Sequence, residues 1–100
     1  MTEAKDTKGK LDLTTVPPEL IVAVARIRQY GINKYKERDN WKKVSVDEYW
    51  KALYRHLNAY LSGEEADLES GMSHSWHIAC NIAFIISLDM KNKVPKEWIA

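Results

Sequence analysis

One cysteine, three prolines and four glycines are all that the 100 residues contain of those types. Cys80 alone cannot close an internal disulfide, so the sequence predicts a buried thiol in a reducing compartment and no disulfide framework. So few glycines and prolines exclude collagen-like or low-complexity architectures. Charge of one sign is also missing: fifteen Lys and Arg against fourteen Asp and Glu leave a net charge of +1. Bulk electrostatics therefore recommends neither duplex nucleic acid nor a membrane surface as partner, and any anion must be held by a local site. The longest apolar runs, such as Leu20 to Ala25, are far too short to span a bilayer, and the charged start MTEAKDTKGK has no apolar signal core.

What is present is helical periodicity. Residues 1–12 are polar and aperiodic and read as a mobile arm, and 13–100 read as one all-helical domain. Thr14 and Thr15 before Pro17 and Pro18 predict a hydroxyl-capped helix start. Helix one is expected from about Pro17 to Tyr30, with Leu20, Ile21, Val24 and Ile27 as its buried stripe, Arg26 and Arg28 off it, and Gly31 as its stop. The charged stretch from Ile32 to Arg38 reads as a short helix or an ordered turn. Ser45 and Glu48 form a capping-box pattern ahead of Tyr49, Trp50, Leu53, Leu57, Tyr60 and Leu61, a run expected to end at Gly63. A third helix, about Met72 to Met90, is apolar on most of its surface, so it is central or lies at a subunit interface. No run of strand length survives. The fold class is all-α: a small bundle of three main helices around a helical hairpin, completed by oligomerisation.

The chemistry-bearing residues gather at that hairpin. His56 lies seven residues before Gly63 and His77 six after Gly71, so antiparallel packing puts them at similar depth. His74, His77 and Asn81 share one helix face and are competent metal ligands or phosphate contacts, although a histidine bonded inside the hairpin fits the spacing equally. The loop between the helices carries Glu64, Glu65, Asp67 and Glu69, hard oxygen donors of the kind that hold Mg2+ or Mn2+ on a triphosphate, or else a solvated acidic turn. Lys34, Arg38, Lys42 and Arg55 are candidate phosphate contacts, and Tyr35, Trp41 and Trp76 candidate faces for a base, though each also reads as a surface charge or packing aromatic.

The residues Lys8-Gly9-Lys10-Leu11-Asp12-Leu13, Pro17-Pro18-Glu19, Tyr30-Gly31, Lys34-Tyr35, Arg38, Asn40-Trp41, Arg55-His56-Leu57, Gly63-Glu64-Glu65, Asp67, Glu69-Ser70-Gly71, His74, His77, Ala79-Cys80-Asn81 and Phe84 together resemble the dATP/dGTP diphosphohydrolase family of phages and prophages. This is similar to a branch of the all-α nucleoside triphosphate pyrophosphohydrolases. The resemblance implies metal-dependent hydrolysis of purine deoxynucleoside triphosphates to the monophosphate and pyrophosphate, with Mg2+ or Mn2+, in a cytoplasmic homo-oligomer expressed in a bacterial host. It implies Glu64, Asp67 and His77 as catalytic residues and His56, Glu64, Asp67 and His77 as metal ligands. Substrate contacts are expected from Lys34, Tyr35, Arg38, Asn40, Trp41, Arg55, His74 and Asn81. The wider superfamily's E-x-x-E and E-x-x-D pairs do not stand in these helices: helix two opens with Asp47 and Glu48, and helix three has no carboxylate before Asp89. A non-catalytic protein that sequesters a nucleotide or cyclic nucleotide signal is the alternative, and a protein-interaction module is a third.

Overall fold

The computed structural model describes residues 9–90 and Pro95. Residues 1–8, most of the expected arm, lie outside the described residues. A short 3-10 turn, Leu13–Thr15, precedes helices α1 (Pro18–Tyr35), α2 (Val46–Leu61) and α3 (His74–Asp89), with a second 3-10 turn, Asn40–Lys43, between α1 and α2. The all-α reading holds, and no helix of the described residues is long and apolar enough to cross a membrane.

The chain starts differently from expectation. Asp12, not a threonine, does the capping, its carboxylate accepting from the Thr14 amide at 3.1 Å, while Thr15 donates its hydroxyl to the Asp12 carbonyl. Pro17 caps α1 with no side-chain bond. Gly31 does not stop the helix. It keeps helical geometry, at a cost of about 1 kcal/mol against alanine, and α1 runs on to Tyr35, where Lys36 turns left-handed at φ 60° and its amide donates to the Ile32 carbonyl. The extension turns most of the doubtful stretch into helix and puts Ile27, Arg28, Gly31, Lys34 and Tyr35 along one side of it.

Ser45 does precede α2, but the capping box does not close: its side chain makes no cap bond, and Glu48 instead pairs with Lys51 at 3.6 Å. Gly63, at φ 100°, ends the helix as expected. Ser73 caps α3 by accepting from the Ser75 amide.

Helix α3 is central, packing against α2 on one side and α1 on the other. Tyr49 and Leu53 of α2 meet Ile85 of α3 in the core, and Trp41, Val44, Ile78, Ile82, Phe84 and Leu88 close around them. Trp41 stacks on Phe84 at 4.8 Å, and Tyr49 donates its hydroxyl to the Trp41 carbonyl. Trp41 and Val44, half-buried against that core, hold the 40–44 turn on the α2–α3 pair. The stripe expected on α1 is mostly uncovered: Ile27 is buried, but Leu20 and Ile21 are exposed, because the first half of α1 meets little of the other described elements. On α2, Trp50, Tyr60 and Leu61 are likewise exposed.

Candidate functional site

Between α1 and α2, with α3 as floor, lies a cleft of about 690 Å3. Lys34, Tyr35, Asn40, Trp41, Arg55, His56, Glu64, Asp67, His74, His77 and Asn81 all line it. Arg38 does not: it contributes its carbonyl, which accepts from the Arg28 guanidinium. Trp76 sits in a separate shallow groove with Pro18, Val22 and Ala23.

The three histidines meet at the hairpin, with His56 and His77 at the similar depth that the spacing predicts. His56 and His77 lie face to face, ring centres 4.3 Å apart and planes 6° off parallel. His74, only 2% exposed, places its Nδ1 2.8 Å from His56 Nδ1 and its Nε2 2.8 Å from Glu64 Oε1. A carboxylate can only accept, so His74 donates its Nε2–H to Glu64. With His56 as donor, its Nδ1–H goes to His74 Nδ1 and its Nε2 keeps the lone pair. Both ring nitrogens of His74 are thus engaged within the protein.

The acidic loop is built around Asp67. Its Oδ2 accepts from the Ser70 amide at 2.8 Å, and its carbonyl from the Gly71 amide at 2.7 Å, a turn that needs Gly71 at φ 73°. Ser70 Oγ lies 2.7 Å from His77 Nε2, which is itself 3.7 Å from Asp67 Oδ2. Burial pushes the Asp67 carboxyl up, but the two Ser70 hydrogen bonds and the charges of His77 and His56 outweigh it and hold the group below its usual value. Burial holds His56 and His77 below 6.5, reinforced by neighbouring imidazoles and only partly offset by Asp67. At neutral pH His56 and His77 are therefore uncharged and Asp67 is ionised.

Among the described residues, ligand atoms of His56, Asp67 and His74 come within 4.8 Å of one another. The expected ligands Glu64 and His77 stand beside this group, one bonded to His74 and the other to Ser70. With both His74 nitrogens engaged, the His56 imidazole and the Asp67 carboxylate are the donors left to a divalent ion, and the imidazole suits Mn2+ better than Mg2+.

The other expected contacts differ in freedom. Lys34 is bound to Glu69 at 2.7 Å, and that hydrogen bond is the leading cause holding the Glu69 carboxyl low and the Lys34 ammonium high. Asn81 is buried and gives its amide to the His77 carbonyl at 2.9 Å. Trp41 is engaged by Phe84, whereas Tyr35 stays open. Sequence reasoning passed over Tyr30, whose ring meets His77 edge-on, and over Ser70 and Arg28. The signal for Arg28 was its place seven residues before Tyr35, on the same side of a longer helix.

Comparison with known proteins returned a family model described as dATP/dGTP diphosphohydrolase, N-terminal, matching residues 1–97. A dATP/dGTP diphosphohydrolase of Salmonella phage PMBT28 is 32% identical over 88 residues, which is 88% of this chain and 30% of the phage protein. The chain thus spans about a third of the length of that relative. No solved structure gave a significant match.

Proposed function

The chain belongs to the dATP/dGTP diphosphohydrolase N-terminal family, and on that premise we propose that its cleft hydrolyses purine deoxynucleoside triphosphates to the monophosphate and pyrophosphate, dependent on Mg2+ or Mn2+. The supporting observation is the convergence of His56, Asp67 and His74 in a cleft that Arg55 and Lys34 also line.

In this reading His56 and Asp67 would hold the ion, and His74, both of whose ring nitrogens are engaged, orients His56. The ion would supply charge neutralisation at the phosphates and activation of the attacking water. Glu64 fixes the ring of His74, and through it that of His56, so the nitrogens are aimed before substrate arrives. His77 and Ser70 hold the Asp67 loop at its working distance. Arg55 meets phosphate oxygens, and Lys34 does so once it leaves Glu69. Tyr35 offers its open face to the base, and Asn40 lies near the same end. The reading includes a cytoplasmic homo-oligomer, in which a second copy covers Leu20 and Ile21.

The test is incubation of the purified chain with dNTPs and NTPs, with Mn2+, Mg2+ or chelator, and ion-exchange separation of products. dAMP or dGMP plus pyrophosphate, formed only with metal, is the expected result. Absence of product from every nucleotide would overturn the hydrolase and leave a sequestering binder.

A further inference from the structure

Arg28 rises from α1 into the cleft, on the wall facing α2. Its guanidinium lies 5.4 Å from the Phe84 ring centre and 5.9 Å from that of Trp41, over the stacked pair that closes the core. One of its nitrogens donates to the Arg38 carbonyl, which fixes the planar group across the aromatic faces. Its charge reaches deep: it partly offsets the burial that pushes the Tyr49 hydroxyl up to about 12 and the Cys80 thiol up to about 11.

Arg28 is half-buried, and a cation drawn in from solvent is commonly met by a carboxylate. Among the described residues, ion pairs within 4 Å are made by Lys34, Lys42, Lys43 and Lys51, and none by Arg28. A neutral carbonyl and two ring faces are what it has instead. Among the described residues its five N–H donors make that one hydrogen bond, which leaves donors for an anion entering the cleft.

Position adds to this. His77 and Phe84 are seven residues apart on α3, about 10 Å of helix, so Arg28, which lies over Phe84, stands further along the floor than the histidine cluster. An extended triphosphate, with a metal contact at one end and a guanidinium contact at the other, covers that interval.

We propose that Arg28 is the receptor for the terminal phosphates, the part of the substrate that leaves as pyrophosphate. This rests on the hydrolase reading for its substrate and extends it by giving the cleft a direction: α phosphate at the histidines, phosphate tail at Arg28. Held by the Arg38 carbonyl and, among the described residues, without a carboxylate partner, the guanidinium is set for a bidentate grip on phosphate oxygens.

Binding of inorganic tripolyphosphate to the full chain, followed calorimetrically in chelator, tests the assignment apart from turnover. Arg28→Met, which keeps a long side chain over the rings, is expected to weaken binding about tenfold or more. Arg28→Lys, with charge but no fork, should fall between, and Arg26→Met, on an exposed part of the same helix, should bind as the parent does. Should Arg28→Met not fold, Arg28→Lys with parental affinity overturns the assignment. So does tripolyphosphate binding that is absent from the parent, unchanged in Arg28→Met, or equally weakened in Arg26→Met. Loss of tripolyphosphate binding in Arg28→Met, in a protein that cleaves no nucleotide, would uphold the anion site and remove the hydrolase.

Discussion

His56 and His77 decide how the folded chain answers to acid. Both are held below the 6.5 of a free imidazole, chiefly by burial, so between their folded values and 6.5 the unfolded chain binds more protons than the folded one. Their contribution to stability is therefore complete above about 6.5 and is lost as pH falls through that window. Asp67, depressed from 3.8, adds a further loss at still lower pH. Thermal melts of the metal-free chain should show the midpoint dropping from pH 7 to pH 5, with a shallower drop in His56→Gln. An equal slope in that variant would mean that His56 keeps its ordinary proton affinity. The meeting of the histidines was legible, since seven residues on one side of the turn answer six on the other. Which nitrogen meets which was not: spacing places a ring, but only packing decides that His74, the most deeply buried of the three, stands between Glu64 and His56.

Helix ends were legible where a residue forces the backbone, as Gly63 does, and misread where a residue merely permits a change. Gly31 has no left-handed conformation, and a β-carbon built there meets nothing within 4 Å. Gly31→Ala should thus stabilise the chain by about 0.5–1 kcal/mol, seen as a raised melting midpoint or denaturant midpoint at unchanged slope. A fall instead would show that the glycine relieves a strain within α1. The same misreading hid half of the cleft wall. A helix that stops at residue 30 leaves Lys34 and Tyr35 on an unplaced segment, whereas five more residues align them with Ile27 and Arg28. Arginines off an apolar stripe are usually solvent-facing, which is why Arg28 drew no attention in the sequence although Arg55 did.

For the chain as a whole, the order of packing was legible and the extent of burial was not. The apolar breadth of α3 foretold its central place, but the α1 stripe foretold a buried face that the described residues do not cover. Leu20 at 46% and Ile21 at 68% exposure are held there at a cost that a second copy would remove. Light scattering should give at least twice the mass of one chain, and Ile21→Glu should return it toward one. A single-chain mass in the parent protein would take the oligomer out of the proposal.

Among the described residues Ile27 is the one fully buried side chain of α1, the rest of its packing on α3 being half-buried, while α2 and α3 share the main core. Two unequal melting units follow: a firm hairpin and a loosely held arm, which opens at a fraction of the free energy needed to unfold the pair. A triphosphate spanning from the histidines on the hairpin to Arg28 on that arm would act as a staple. Substrate occupancy would then be written in the amide exchange of α1 more than in that of the histidine-bearing helices, and the loss of the phosphate tail on cleavage would free the arm and let product go.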